Sequence, residues 1–494
     1  MTATAPIKLT VKDYKSDYHN DWCPGCVRGD TPVVTADGLK NIRNVCVGEN
    51  VLAHDGRFHV VTETMSHQHP APMRRLVVWK RGEVLLTPDH PVYAITSANW
   101  PTSLGGEGDA VRDPKPTWIA AEKLRIGDLV ATPVPEAALA GVRHTPEGRE
   151  RLVMTQFFGT ESYTDAHQLI EVVGNDEVEY DGMVYNLEVE GAHSYVTNVG
   201  ALHNCGDFGI LSSLQMSFAQ LKLEPDKVAV FSGIGCSGKT PHYLKTYGFH
   251  TLHGRVLTVA TGGRLVNNGV TVVALGGDGD GYGIGAGYFV NTGRRNLDFA
   301  YIVHNNGVYG LTKGQSSPTM SIGKKTKSMA EKAIQDGINP IGLAVASGYT
   351  FIARGYALDP KNLSKIITAA IEHKGSALVD VLQTCPTYND LYTKEWYEGD
   401  DLPTKRSRLY SLEESGYDGV VKDPTNLEEV VAKKAQAVAK SYEVEPIPIG
   451  IYYKIDLPTY EERLAERMPE YAKTPLVEQD TFHRDISPLI EEMR

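Results

Sequence analysis

Two points in this chain place reactive side chains where a peptide bond could be broken and remade. Cys26 follows Gly25, and Cys205 follows the pair His203-Asn204. A cysteine thiolate can attack the carbonyl of the residue before it and turn an amide into a thioester. A second cysteine can take over the acyl group. An asparagine just ahead of that cysteine can cyclise through its side-chain amide and cut the chain. Deleting Cys26–Asn204 on paper joins Trp22-Cys23-Pro24-Gly25 to Cys205-Gly206-Asp207-Phe208-Gly209, a compact Cys-x-x-Cys motif that the continuous chain interrupts. Of the six cysteines, Cys26 and Cys46 leave with the deleted span, whereas Cys23, Cys205, Cys236 and Cys385 remain. Four thiolates can hold a [4Fe–4S] cluster, and structural zinc is the alternative that the same four would suit.

A further set of residues offers oxygen ligands. Gly277-Asp278-Gly279 follows one predicted strand and Asn305-Asn306 follows another. The glycines would let the backbone approach a diphosphate. Asp278, Asn306 and the Val308 carbonyl would suit Mg²⁺, a hard ion that bridges phosphate oxygens. An aspartate in a Gly-rich loop is most often a plain turn residue, so the downstream Asn pair decides the reading. Gly281–Ala286 fits a loose dinucleotide-binding pattern, yet Asp278 separates it from the strand and no ribose-binding acid follows at the right distance.

The elements that must position these groups fall into two styles. From Cys26 to Asn204 short β-like runs are broken by Gly, Asp and Pro: Pro32–Thr35, Val51–Ala53, Glu83–Leu86 and Val184–Val189. That spacing predicts an all-β unit, with a loop near Ser103–Asp113. After Cys205 nearly continuous apolar runs, Val228–Phe231, Val270–Leu275, Phe299–Val303 and Ala377–Leu382, alternate with helical segments such as Asn362–His373. This predicts an α/β domain, a parallel sheet with helices on both faces. The expected organisation is a polar lead at 1–25, an inserted unit at 26–204 and the interrupted domain at 205–494, with a partly helical arm from about residue 389.

Composition narrows the class. The 494 residues carry a net charge of −12, which argues against nucleic acid or an anionic membrane as the main partner. No apolar run approaches the roughly 20 residues of a membrane span, and the first residues lack the apolar core of a signal peptide. A cytoplasmic location is expected, where thiols stay reduced and metal or catalytic roles are favoured over disulfides.

The inserted segment resembles the Hint fold of inteins. Cys26–Val33 is similar to the intein start, Thr87-Pro88-Asp89-His90 to the internal Thr-x-x-His block, and Val184–Glu190 through His193, then His203-Asn204-Cys205, to the two C-terminal blocks. The resemblance implies that Thr87 and His90 polarise the Gly25–Cys26 bond and protonate its leaving nitrogen. It also implies that His193 and His203 assist Asn204. A mini-intein without a homing endonuclease is expected. Asn186 stands where many inteins carry Asp, and an amide cannot act as an acid or base, which bears on the rate and coordination of the steps. His54, His59, His67 and His69 are read as solvated, and Cys46 as structural.

The joined flanks resemble the β subunit of 2-oxoacid:ferredoxin oxidoreductases over nearly their whole length. The resemblance rests on Cys23-Pro24-Gly25-Cys205-Gly206, Gly233–Lys239, Gly277-Asp278-Gly279 with Asn305-Asn306 and Val308–Gln315, and Gln383-Thr384-Cys385-Pro386. It implies a thiamine diphosphate site at Gly277, Asp278, Gly279, Asn305 and Asn306, with Mg²⁺ on Asp278, Asn306 and Val308. It further implies a [4Fe–4S] cluster on Cys23, Cys205, Cys236 and Cys385. Lys239 and Lys313 are candidates to contact substrate carboxylate or coenzyme A. His253-Gly254-Arg255 matches a family segment without an evident task. The implied reaction is oxidative decarboxylation of a 2-oxoacid, such as pyruvate or 2-oxoglutarate, to acyl-CoA and CO₂ with ferredoxin as acceptor. An α subunit is the implied obligate partner, because no residue here matches the glutamate that activates the cofactor. The rival readings are a non-redox thiamine-dependent decarboxylase or carboligase, and a Hint unit that is retained without splicing.

Overall fold

A computed structural model describes residues 9–16, 25–97, 116–133, 162–163, 167–189, 192, 194–203, 205–326, 328–399, 402–479 and 485–493. The loop expected at Ser103–Asp113 lies outside them.

The C-terminal part is built on a sheet of eight strands. Their spatial order is Tyr247–His250, Val228–Ser232, Thr271–Gly277, Phe299–Asn305, Ser376–Leu382, Phe351–Tyr356, Ile447–Lys454, Leu409–Ser411. The first six are mutually parallel. Side chains alternate between faces, and both faces are covered, so these strands need apolar residues at every position. Val228, Val230, Val273 and Leu275 join one core with the helices Asp207–Leu221 and Pro360–Glu372. Their neighbours Ala229, Phe231, Val272 and Ala274 join a second core with the helices Val256–Val266, Ala286–Arg295 and Pro340–Ser347. Each buried Val or Leu is worth roughly 1.5–3 kcal/mol relative to exposure.

The stretch from residue 389 is more than an arm. It does contain the helices Lys394–Glu398 and Leu427–Ser441, but Ile447–Lys454 pairs antiparallel with Phe351–Tyr356 and extends the central sheet. Its alternation of Pro, Ile, Gly and Tyr hid a strand that packing on an existing edge creates.

The inserted unit is antiparallel throughout. Phe58–His69 pairs with Gly182–Val189, and His167–Val178 pairs with Met73–Val78. Val27, Val33, Val51, Leu76, Leu86, Val92, Leu187 and Leu202 fill its core.

The N-terminal lead is not a free tail. Tyr14 is fully buried, and its hydroxyl donates to the Phe218 and Leu223 carbonyls at 3.0 and 2.5 Å, at the end of the helix Asp207–Leu221. The Lys245 N–H donates to the Tyr14 carbonyl at 2.8 Å. A polar composition concealed this one anchoring aromatic.

Candidate functional site

The short strand Val27–Arg28 runs between two antiparallel neighbours, with Val27 opposite Leu86 on one side and Tyr185 on the other. The residue before Val27 is therefore delivered beside the residues after Leu86 and Tyr185, so Cys26 and Gly25 meet Thr87 and Asn186. The Cys26 N–H donates to Thr87 Oγ1 at 3.0 Å, and the Thr87 N–H donates to the Cys26 carbonyl at 2.9 Å. Asn186 Nδ2 donates to the Gly25 carbonyl at 3.0 Å. Both polar atoms of the Gly25–Cys26 peptide are thus held.

The His90 N–H donates to the Thr87 carbonyl at 3.1 Å, closing a turn that lays the imidazole against Gly25. Gly25 has φ 64°, and a Cβ there would overlap the His90 ring, so glycine is required for its backbone and for the close approach. His90 is fully buried, and neither ring nitrogen makes an aligned hydrogen bond among the described residues. Burial holds its pKa down to about 4, opposed by nearby Asp89 and the Cys26 backbone. The ring is neutral at physiological pH, with one N–H to donate and one lone pair to accept.

Cys26 is buried, and its sulfur lies 4.0 Å from His67 Nδ1. Sequence reasoning left His67 in solvent. It sits opposite Val184 in the long strand pair, two residues along from Asn186, and only that register could have flagged it. His54 is likewise not solvated. It is buried, its Nδ1 lies 2.7 Å from Ser194 Oγ, and its Nε2 lies 3.3 Å from Glu395 Oε1 in the C-terminal part. His59 pairs with Asp55 at 2.9 Å. Cys46 is exposed. His193 and Asn204 lie outside the described residues. The His203 backbone pairs with Ser194.

The remaining candidate groups gather at the carboxyl ends of the parallel strands, where open α/β sheets bind ligands. Cys236 follows Val228–Ser232, Asp278 follows Thr271–Gly277, Asn306 follows Phe299–Asn305, and Cys385 follows Ser376–Leu382. Cys205 arrives from the start of the helix Asp207–Leu221. The Gly206 N–H donates to the Thr384 carbonyl at 3.4 Å, and a Cβ on Gly206 would press on Gln383 and Thr384. The Cys205 thiol donates to Asp207 Oδ2 at 3.2 Å, and Gln383 Nε2 lies 3.6 Å from its sulfur. Burial pushes this thiol well above the ordinary range, reinforced by Asp207, Cys385 and Cys236. Three of the four expected thiols therefore share one region, and Cys23 lies outside the described residues. Among the described residues no three His, Cys, Asp or Glu side chains close around a single ion. A four-iron cluster takes one thiolate per iron, so its ligands stand farther apart, and thiols that raise one another fit such a cationic centre.

Asp278 is buried, and its Oδ2 accepts from Gly307 N at 3.1 Å, Ser317 Oγ at 2.5 Å and Thr319 Oγ1 at 2.5 Å. Burial pushes its carboxyl up to about 6, held back only by neutral donors. A buried carboxylate on a floor of hydroxyls and amides, with Asn306 Oδ1 nearby on the Val308 N–H at 3.1 Å, fits a hard divalent ion. Asn305 Nδ2 donates to Asp380 Oδ1 at 3.0 Å. A Cβ on Gly277 would make only ordinary contact with Ser237 Oγ at 3.7 Å, whereas a Cβ on Gly279 would overlap the Tyr309 ring. The glycines of the loose dinucleotide pattern instead enter a π-helical turn, Gly279–Ile284.

Asp280 was missed. Its Oδ1 accepts from Ile234 N at 3.2 Å, Gly254 N at 2.7 Å and His253 Nδ1 at 2.9 Å. It ties the cysteine-bearing loop to the thiamine-type loop, and that tie is the task of His253-Gly254. Lys239 sits on the turn beside Cys236. Lys313 is exposed at φ 83° between the two short strands Val308–Tyr309 and Gln315–Ser316.

Residues 233–381 match the C-terminal thiamine pyrophosphate-binding domain of thiamine pyrophosphate enzymes, and residues 385–468 match the C-terminal region of pyruvate ferredoxin oxidoreductase β subunits. The chain is similar to a 2-oxoacid:ferredoxin oxidoreductase subunit β of Saccharolobus solfataricus, with 54% identity over 276 residues, 55% of this chain and 87% of that one. A 2-oxoglutarate:ferredoxin oxidoreductase from Magnetococcus marinus, solved with 2-oxoglutarate, coenzyme A and succinyl-CoA bound, is 30% identical. It aligns with a TM-score of 0.49 over 59% of this chain and 90% of that one. A bacterial intein-like domain from Clostridium thermocellum is 21% identical, with a TM-score of 0.24 over 37% of this chain and 100% of that one. With this sequence identity across most of a curated relative, and with the strand-end loops in place, the chain belongs to the family of 2-oxoacid:ferredoxin oxidoreductase β subunits.

Proposed function

We propose that the chain is a self-splicing precursor of an oxidoreductase β subunit. Residues 26–204 act as a mini-intein, and the joined flanks act with an α subunit in oxidative decarboxylation of a 2-oxoacid to acyl-CoA and CO₂, passing electrons to ferredoxin. One observation carries the reading. The Gly25–Cys26 peptide is gripped at N–H and C=O by Thr87 and Asn186, while Cys205, at the other junction, already lies with Cys236 and Cys385.

The chain's own residues account for the splicing steps. Cys26 Sγ adds to the Gly25 carbonyl carbon, the C–N bond breaks, and the thiol proton ends on the Cys26 nitrogen, with neutral His90, packed against Gly25, as a group able to relay it. Cys205 Sγ then takes the acyl group and releases Cys26 Sγ. Asn204 Nδ2 attacks its own carbonyl carbon and frees the Cys205 amine, which captures the acyl group as a peptide.

In the enzyme, Asp278, Asn306 and Val308 would hold Mg²⁺, and Cys23, Cys205, Cys236 and Cys385 would hold a [4Fe–4S] cluster. Gly277–Gly279 and Asn305-Asn306 would hold thiamine diphosphate, which would supply an electron sink for the decarboxylation. Coenzyme A is the acyl acceptor.

Expression of the intact chain followed by mass measurement tests the splicing. A ligated product lacking residues 26–204 is expected. Persistence of the 54.1 kDa chain after long incubation overturns it. Broad visible absorption by the spliced protein, with ferredoxin reduction after co-expression with the α subunit, separates this reading from a non-redox thiamine enzyme.

A further inference from the structure

Asn186 stands where an acid is usual in the fold this insert resembles, and its surroundings explain the amide. It is buried at 2% exposure on the strand Gly182–Val189, one residue past the Tyr185–Val27 pairing. Its Oδ1 accepts from the Leu187 N–H at 2.9 Å. That contact settles which end of the amide is which, because only the NH₂ end is left to face the Gly25 carbonyl, 3.0 Å away. A carboxylate in its place would keep the Leu187 N–H but set the lone pairs of its other oxygen against the Gly25 carbonyl oxygen.

We propose that Asn186 is a catalytic residue of the first acyl shift, donating to the Gly25 oxygen as negative charge develops there. This inference rests on the splicing reading. As Cys26 Sγ bonds to the carbonyl carbon, the C=O electron pair moves to oxygen, and the Asn186 N–H···O bond becomes charge-assisted. When the C–N bond breaks, the pair returns to reform C=O as the thioester, and the proton lost by the thiol ends on the Cys26 nitrogen. The donor is fixed by a strand rather than a loop, so little reorganisation accompanies the step. Thr87 cannot substitute, since its hydroxyl faces the N–H side of the same peptide.

The test measures hydroxylamine cleavage at the Gly25–Cys26 junction in full-length precursor, with the Asn204→Ala change added to block the later steps. Asn186→Ala and Asn186→Asp are expected to slow cleavage by about 10²–10³-fold at neutral pH, the usual loss for one oxyanion donor. The ratio of the Asn186→Asp rate to the parental rate should climb as pH falls, because a protonated carboxyl regains a donor. A merely structural residue would show no such rescue. Fold integrity is read from thermal melts of the precursors with and without Asn186→Ala, which should agree within a few degrees. Parental-rate cleavage by Asn186→Asp at neutral pH overturns the proposal. A parental precursor that yields neither hydroxylamine cleavage nor ligated product overturns the splicing reading itself, and this proposal with it.

Discussion

Replacing Gly25 with Ala should disable the first step through the ring it displaces. Gly25 has φ 64°, where an L-residue costs roughly 1–2 kcal/mol. A Cβ there would coincide with His90 Cβ, Cγ and Nδ1. That ring is fully buried and has no free volume to enter, so overpacking adds about 1–3 kcal/mol. The sum, about 2–5 kcal/mol, corresponds to a slowing of roughly 30- to 5,000-fold if the productive geometry must be restored before attack. Thioester formation, followed as dithiothreitol-induced release of the N-terminal fragment, reads the rate. The same geometry predicts non-additivity. In a precursor already carrying His90→Gly every His90 atom the new methyl would meet is gone, so the Gly25→Ala change should cost only the backbone part, about tenfold. Equal losses from Gly25→Ala with and without His90 would refute the steric reasoning. An unslowed Gly25→Ala single variant would refute the role of the close approach altogether.

Other consequences are open to direct measurement. His90 has a pKa of about 4 in the fold against 6.5 ordinarily, so between those values the unfolded chain binds the extra proton. Its contribution to stability is complete above pH 6.5 and is lost as pH falls toward 4, by about 1.4 kcal/mol per pH unit, and urea melts of His90→Gln precursor should lack that slope. Despite burial, the His54 ring holds the Glu395 carboxyl well below the usual carboxylate range. Glu395→Ala should therefore destabilise a splicing-blocked precursor by about 1–3 kcal/mol in thermal melts and leave the excised product unaffected. Gly279→Ala drives a methyl into the Tyr309 ring and should weaken thiamine diphosphate binding by about tenfold or more in titration calorimetry, without loss of secondary structure.

The parts legible in the sequence were those where local chemistry dictates residue type. A strand buried on both faces must be apolar throughout, so Val228–Phe231 and Ala377–Leu382 announce themselves and the loops after them follow. Gly277-Asp278-Gly279 is readable as the turn that ends a buried parallel strand, with Asp278 buried on hydroxyl and amide donors. What escaped depends on partners distant in the chain. His67 reaches Cys26 only through the register of two long strands, and His54 meets Glu395 only once the two units pack. Asp280 resembles any turn aspartate until Ile234, His253 and Gly254 close on it. Ile447–Lys454 becomes a strand because an edge awaits it, and Tyr14 is one aromatic in a polar stretch.

The anchoring of Tyr14 bears on what drives ligation. The described part of the lead is held on the C-terminal domain: Tyr14 binds two carbonyls near the end of the helix Asp207–Leu221, and Cys205 stands just before that helix begins. If the insert splices as proposed, one folded body tethers the segments on both sides of it, and transfer of the acyl group to Cys205 is intramolecular with a closure entropy that grows only slowly with chain length. If the splicing unit alone supplied that proximity, loosening the host would leave ligation untouched. If the host supplies it, Tyr14→Ala, which removes a buried aromatic and both its hydrogen bonds, should leave thioester formation at the parental rate. It should shift the outcome from ligated product toward hydrolysed N-terminal fragment. Equal product ratios in the two proteins would place the entire burden back on the inserted unit.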